Sequence, residues 1–206
     1  EKGEMTTWLG KITLSNNSYT PIILNREKYD LPYINSGYFF RSLDNLYYYK
    51  KHGEYIYKLS SDSTLPFIRI KSTRHPTEED LIECERSGHP LNLLSDNKVG
   101  AVNAIYETDE YIFLEISMNP PGYYVINKKD NSITRMKFDA NMDFNGHLRV
   151  VGSTGKYFIG YYHVDDDNIK YIKKRVNDKI KGHRHISDIT EESDPILVLF
   201  TFNNHV

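Results

Sequence analysis

The sequence predicts an all-β protein built from short antiparallel strands, and three features support this prediction. Aromatic residues make up 13% of the 206 positions and include 17 Tyr and 9 Phe. Together with abundant Ile, Val and Thr, this composition favours strands. Apolar and polar residues alternate with a period of two over many short segments, which are separated by residues typical of turns. The segments also recur in groups of four.

The first group of four segments lies around the tyrosine-rich stretch NLYYYKKHGEYIYKL at 45–59. Its segments are GYFFRS at 37–42, residues 46–50, residues 54–59 and PFIRIK at 66–71. The turn-forming stretches 43–45, 52–53 and 60–64 separate them. Four short strands joined by tight polar turns predict an antiparallel meander.

The same arrangement returns downstream, in segments at 99–108, 110–117, 122–128 and 133–139. Placing Asp62 on Asp130 aligns Tyr55 with Tyr123 without a gap. A third copy begins in GHLRVVGSTGKYFIGYYHV at 146–164. A four-stranded unit recurring about every 40–50 residues predicts the blades of a β-propeller. We therefore interpret the tyrosines as packing between blades, with a platform for stacking carbohydrate as the alternative.

The remaining segments complete the predicted fold. Segments 8–14 and 19–25 fit the outer two strands of an earlier blade. An insert after the first group predicts a helix over 78–85, and 165–180 predicts a second helix. The last segment, 194–202, is apolar on both faces and predicts a buried strand. The predicted fold is thus a partial β-propeller with two helical excursions, in a single domain over 1–206. A two-sheet sandwich is the alternative.

Charge and composition argue against several classes of partner. The formal net charge is −2, and Lys and Arg are spread along the chain, so neither nucleic acid nor an anionic membrane is favoured. No apolar run approaches the roughly 20 residues of a transmembrane helix, so none is expected. The single cysteine, Cys84, excludes an internal disulfide. The chain starts at Glu1 rather than Met, which suggests that an upstream part was removed.

Three motifs resemble ligand sites, but each fits a structural interpretation better. His183 and His185 could share a face, but no third metal ligand is fixed by spacing. The acidic run 165–168 lacks the Gly and Glu of a calcium loop and suits a helix start. GSTGK at 152–156 lies between two predicted strands, whereas a phosphate-binding loop opens a helix. No metal or cofactor is therefore predicted.

A ligand site, if present, is expected at one mouth of the propeller channel, where inner strands and their loops meet. The predicted inner strands are 37–42, 99–107 and 147–152. Their polar side chains are the candidate ligand-binding residues: Arg41, Asn103, Glu107, His147 and Arg149. Two functions remain open. One is a binding module for a glycan, peptide or partner protein, and the other is a glycan-active hydrolase or lyase that uses channel-mouth carboxylates.

Three stretches resemble a known family, the six-bladed β-propeller proteins of uncharacterised function found in gut-dwelling Gram-negative bacteria. They are EYIYKLSSDSTLPFIRIK, VNAIYETDEYIFLE and EESDPILVLFTF. The resemblance implies export, since such proteins resemble lipoproteins that are periplasmic or exposed at the cell surface. A closed ring of six blades needs about 250 residues. The chain therefore corresponds to a C-terminal portion, whose open blade faces are expected to favour self-association or to be covered by further sequence.

Overall fold

The computed structural model describes residues 6–13, 15–16, 18–25, 37–61, 63–87, 98–118, 121–136, 148–164, 169, 190 and 195–202. The chain divides into two compact units, Glu1–Ile105 with Leu114–Gly122, and Tyr106–Phe113 with Tyr123–Val206. The described residues are predominantly β-structure with one complete helix, which confirms the all-β prediction. The single-domain assignment stays a prediction.

The strands form four antiparallel sheets. The first is a hairpin of β1 (Thr6–Thr13) and β2 (Ser18–Asn25). The second contains β3 (Gly37–Ser42), β4 (Asn45–Lys50), β5 (Tyr55–Leu59) and β6 (Thr64–Arg69) in sequence order. The third contains β7 (Val102–Glu107), β8 (Tyr111–Ile116), β9 (Gly122–Asn127) and β10 (Ile133–Met136), again in sequence order. The fourth contains β11 (Leu148–Ser153), β12 (Phe158–Tyr162) and β13 (Ile196–Phe200).

Both predicted four-stranded meanders are therefore present. β3 matches its predicted bounds, and most of the other strands lie within one to three residues of theirs. The segment 152–156 ends β11 and turns into β12, as the hairpin interpretation required. In both meanders, the third and fourth strands pair in the same register next to the turn that joins them. Lys58 lies opposite Leu65, and the aligned residues Ile126 and Ile133 form the corresponding pair.

The two meanders differ farther from that turn. A register shift between Ile56 and Tyr57 interrupts the pairing of β5 with β6. Tyr55 consequently lies opposite Arg69, whereas its aligned counterpart Tyr123 lies opposite Met136. Both tyrosines are in the third strand of their sheet, but a bulge offsets the pairing by one residue.

Tight turns in the first meander use unusual backbone conformations. Leu43 follows β3 with a φ of 52°, and His52 follows β4 with a φ of 60°. Leu43 is the first central residue of a two-residue hairpin, where a positive φ matches the twist of the strands. His52 is the second central residue of the turn that the Gly53 amide closes on the Lys50 carbonyl, a position where type II turns have a positive φ. Such values are uncommon for residues with a side chain. In the second meander, the turn between β9 and β10 places Asn131 at a φ of 58°. The carboxylate of Asp130 accepts a hydrogen bond from the Ser132 amide there, at 2.8 Å.

Helix α1 (Glu78–Ser87) confirms the helix predicted in the insert. The Asp80 carboxylate accepts hydrogen bonds from the amide and hydroxyl of Thr77, at 2.7 and 2.9 Å. The Asp80 amide donates in return to the Thr77 hydroxyl. This reciprocal arrangement is a capping box, which satisfies amides at the start of a helix. Of the second predicted helix, only Ile169 lies among the described residues, and it is helical.

The second unit has an aromatic core around Phe158, which is fully buried. Its ring centroid lies 6.1 Å from Phe113 of β8, 5.7 Å from Phe200 and 5.5 Å from Phe202. Residues of β8 and of the fourth sheet thus share one hydrophobic cluster. Here the aromatic residues pack between sheets, as the sequence predicted for them.

The prediction that the last strand is buried on both faces is wrong. Ile196 is buried, but Leu197 and Leu199 are 66% and 58% exposed. β13 pairs with β12 and has no second neighbour among the described strands. A strand in this position can bury one face in the core while the other stays open, because successive side chains point to opposite faces. An unbroken apolar sequence does not reveal that difference.

Candidate functional site

The candidate ligand-binding residues lie on different strands and in different environments. Arg41 is exposed on β3, and Arg149 is exposed on β11. Asn103 is exposed on β7, whereas Glu107 at the end of the same strand is buried. His147 lies outside the described residues. The assignment of these residues to one ligand site stays a prediction.

Glu107 forms an ion pair with Lys128, which follows β9. The side chain of Glu107 is 6% exposed and that of Lys128 is 27% exposed. The Lys128 ammonium also donates a hydrogen bond of 2.5 Å to the backbone carbonyl of Thr108. The ion pair and this hydrogen bond join the end of β7 to the residue that follows β9. The immediate partner of Glu107 is therefore a lysine of the same unit.

Asn103 also has a partner within its sheet. Its side-chain amide donates to the carboxylate of Glu115 on β8, with a nitrogen–oxygen distance of 3.2 Å. Both groups are polar side chains of neighbouring strands, a pairing that commonly stabilises sheets. Arg41, by contrast, forms no ion pair or hydrogen bond with any described residue. Among the candidate residues it is the one with a guanidinium available at the surface of the first unit.

Arg41 belongs to a face of the second sheet that we term the aromatic face. It is defined by the side chains of Phe39, Arg41, Tyr48, Tyr55, Tyr57 and Arg69, as the register of β3 to β6 shows. The ring of Phe39 lies 5.2 Å from that of Tyr48, and Tyr48 lies 6.5 Å from Tyr57. The aromatic side chains therefore form a row across three strands, from edge strand β3 inward.

The aromatic face combines supported and exposed rings. Tyr48 is 2% exposed, whereas Phe39 is 55% exposed. Gly37 makes room for the Tyr48 ring, because a Cβ there would lie 2.3 Å from a ring carbon. Tyr57 is partly buried, and this burial raises the pKa of its phenol. Phe39 is thus a large apolar group held open to solvent on a packed aromatic base.

At the far end of this face, Arg69 is held by its neighbours. Its guanidinium lies 5.5 Å from the centroid of the Tyr55 ring, and it contacts the Glu54 carboxylate at 2.8 Å. The Glu54 carboxylate keeps the pKa of Arg69 raised. The Arg69 charge is therefore balanced locally, whereas Arg41 has no such counterion among the described residues. The opposite face of the sheet buries Tyr47, Tyr49 and Ile56 completely.

A second polar cluster in the first unit is structural in character. The ring of His52 contacts the Val99 carbonyl at 3.4 Å, and the amide of Val99 donates to the Arg74 carbonyl. Burial lowers the pKa of His52 to about 4, and the positive charges of nearby Lys51 and Lys50 act in the same direction. His52 is consequently neutral near pH 7 and joins the turn after β4 to the segment that leads into β7.

The described part of the chain offers neither a cluster of metal ligands nor a membrane-spanning helix. No group of three or more His, Cys, Asp and Glu side chains there is placed to hold a metal ion. In the same part of the chain, no helix is long and apolar enough to cross a bilayer. The paired histidines at 183–185 and the acidic run at 165–168 lie outside the described residues.

No protein-family model matches the chain, and no curated protein sequence matches it either. A solved structure does resemble it, a "putative exported protein" from Bacteroides fragilis, with a TM-score of 0.58 and 13% sequence identity. The match covers 78% of this chain and 48% of that protein, so the chain spans about half its length. At this identity the likeness concerns the fold.

Proposed function

We propose that the chain is part of an exported, propeller-type protein that binds a ligand without transforming it. Two findings support the propeller and export: the consecutive four-stranded meanders, and the likeness of the fold to an exported protein. The sequence resemblance to six-bladed propeller proteins points the same way. A blade-like arrangement would also use the aromatic residues as observed in the second unit, where they fill the space between sheets.

The observation that supports ligand binding most strongly is the aromatic face. An exposed Phe, packed on the buried Tyr48 ring and next to an Arg that pairs with no described residue, offers apolar contact area and a charge at one place. Such combinations of rigid aromatic anchors with Arg are typical of binding hot spots. A partly apolar exposed surface with a polar margin is also what interaction sites look like.

The alternative, a glycan-active hydrolase or lyase, is less well supported. Glycosidases use two carboxyl groups that flank the scissile bond. Glu107 is the carboxylate among the candidate residues, and it is buried in an ion pair with Lys128. A cation of the protein therefore occupies this carboxylate, which is not open to a substrate.

Binding and catalysis can be separated in one experiment. The purified chain is incubated with a panel of acidic and neutral polysaccharides and with extended peptides. Binding is measured as retention of the protein on each member of the panel. Hydrolysis is detected by the appearance of new reducing ends, and lyase products are detected by ultraviolet absorbance. The proposal predicts retention on a member of the panel with no product. Turnover of any bound polysaccharide would overturn the non-catalytic assignment and favour the hydrolase or lyase.

The proposed location needs its own test. Cells that express the complete reading frame are fractionated, and the protein is probed by added protease in intact and permeabilised cells. An exported protein is expected in the periplasmic or cell-surface fraction. Recovery only with cytosolic markers would contradict export, whatever the binding experiment shows.

A further inference from the structure

We infer that the aromatic face binds an acidic carbohydrate, with a uronic acid ring stacked on Phe39 and its carboxylate paired with Arg41. The inference rests on the proposed binding function and narrows it to one class of ligand. It uses four features of the first unit: an exposed ring with support beneath it, a neighbouring arginine that pairs with no described residue, the distribution of charge over the face, and a position at the edge of the sheet.

The first feature is the pre-organised ring of Phe39. It is 55% exposed, yet it is packed 5.2 Å from the buried Tyr48 ring, which itself occupies the space above Gly37. A side chain supported in this way loses little conformational entropy when a ligand covers it. The face of an aromatic ring carries negative charge density and attracts the polarised C–H groups on the apolar side of a sugar ring.

The second feature is the position of Arg41. It lies two residues after Phe39 on the same strand, so both side chains share one face with Cα atoms about 7 Å apart. Its neighbour across the pair with β4 is Leu46, which is partly exposed and carries no charge. A guanidinium binds a carboxylate through two parallel hydrogen bonds, an arrangement that is both strong and directional.

The third feature is the distribution of charge over the face. Arg69 is balanced by Glu54 at the opposite end, whereas Arg41 beside Phe39 has no counterion in the described part of the chain. A ligand that complements this positive charge must be anionic. Because Arg41 is next to Phe39, the anionic group of the ligand must also lie close to the sugar ring that stacks on Phe39. A uronic acid meets both conditions, because its carboxylate is attached directly to the pyranose ring.

The fourth feature is the position of the site at the edge of the sheet, where a bound chain of several sugars can extend beyond Phe39. β3 is the outermost strand of its sheet, and the row of rings runs inward through Tyr48 to Tyr57. Pro66 lies opposite Tyr57 on β6, and it is exposed on the same face. Beyond Phe39, the Tyr48 ring is buried, and the partly buried Tyr57 and the exposed Pro66 are the next groups of the row. Neighbouring sugar rings suit these groups better than the closely spaced charges of an acidic peptide do.

The inference is tested with tetragalacturonic acid and its fully methyl-esterified form, which differs only in carrying no carboxylate charge. Calorimetric titration is expected to show the acid binding at least tenfold more tightly than the ester. Raising NaCl from 50 to 500 mM should weaken binding of the acid and leave binding of the ester nearly unchanged.

Two substitutions test the contributions of Arg41 and Phe39 separately. Arg41→Gln is expected to bring the acid to the affinity of the ester, and Phe39→Ala to weaken both by tenfold or more. Leu65→Ala removes an exposed side chain from the opposite face of the same sheet, and Arg135→Gln removes an exposed arginine of another sheet. Both controls should stay within twofold of the unsubstituted protein. Melting temperatures establish that each variant is folded, and Phe39→Leu replaces Phe39→Ala if the latter melts early.

Several results would overturn the inference. Equal affinity for acid and ester would exclude a role for the carboxylate, and an unchanged affinity in Arg41→Gln would exclude the named residue. Binding of neutral glycans or of polyglutamate alone would overturn the ligand class but keep the binding function. Failure to retain any glycan or peptide would contradict both proposals together.

Discussion

Replacing Glu107 with Gln is expected to lower the free energy of unfolding, because the substitution removes one charge from a largely buried ion pair. The glutamine keeps the shape of the side chain, and the Lys128 ammonium keeps its hydrogen bond to the Thr108 carbonyl. The experiment also decides whether Glu107 has a structural role or is available to a ligand.

The size of the effect follows from the exposure of the two side chains. Exposed ion pairs contribute about 0–1 kcal/mol, and removing one partner of a fully buried pair costs about 3–5 kcal/mol. Glu107 is 6% exposed, but Lys128 is 27% exposed and keeps access to water. We therefore expect a loss of about 2 kcal/mol. For a chain of this length, that corresponds to a lowering of the melting temperature by about 4–8 °C.

Urea unfolding followed by circular dichroism measures the loss, and Glu110→Gln is the matched control because that neighbouring carboxylate is exposed. Lys128→Met and the double variant complete a thermodynamic cycle, with an expected coupling energy above about 1 kcal/mol. If Glu107→Gln and Glu110→Gln agree within about 0.5 kcal/mol, the ion pair contributes no more than a surface pair and the reasoning fails.

Three further predictions concern the first unit. Because burial lowers the pKa of His52 to about 4, stability should be complete above about pH 6.5 and decline toward pH 4 as the unfolded chain takes up a proton. His52→Asn should flatten that slope in urea titrations, and an unchanged slope would argue against it. Lys98, with Thr77, lowers the pKa of Asp80 to about 2, so stability should be lost as pH falls from about 4 to 2. Asp80→Asn should remove this loss and cost about 1 kcal/mol at pH 7; equal acid sensitivity would contradict it. The Tyr49 hydroxyl is buried near the His52 backbone, but their geometry falls short of a hydrogen bond. Tyr49→Phe should therefore leave stability unchanged or slightly raised, and a loss above about 1 kcal/mol would refute this.

The positions of strands and of the start of the helix were predictable, because they depend on residues close together in the sequence. Alternation with a period of two placed β3 and its neighbours, and Thr77 with the acidic residues after it marked the start of α1. The register shift at Ile56 was not predictable, because a bulge depends on how two strands fit together rather than on either sequence alone. The exposure of Leu197 and Leu199 was missed for a similar reason: whether a second layer covers an apolar strand is a tertiary property.

The candidate site was predictable only in part. Arg41 was predicted as a candidate on the strand 37–42, and the structure shows Arg41 and Phe39 exposed on that strand. The sequence could not distinguish Glu107 from an accessible carboxylate, because its partner Lys128 lies on another strand and is brought to it by the fold. The sequence also did not show that the Tyr48 ring packs against Phe39. Gly37 was a signal of this packing, because a glycine in an aromatic strand often marks a place where another group approaches closely.

The location of the ligand surface is tested most directly by a nuclear magnetic resonance titration of the amide-labelled chain with tetragalacturonic acid. The account predicts saturable shifts concentrated in β3 and in the adjoining residues of β4 and β5, with the largest changes near Phe39 and Arg41. The same shifts should need at least tenfold higher ligand concentrations when Arg41→Gln is titrated. Saturable shifts confined to β7–β13, or an unchanged titration midpoint in Arg41→Gln, would contradict the assignment of the aromatic face as the binding site.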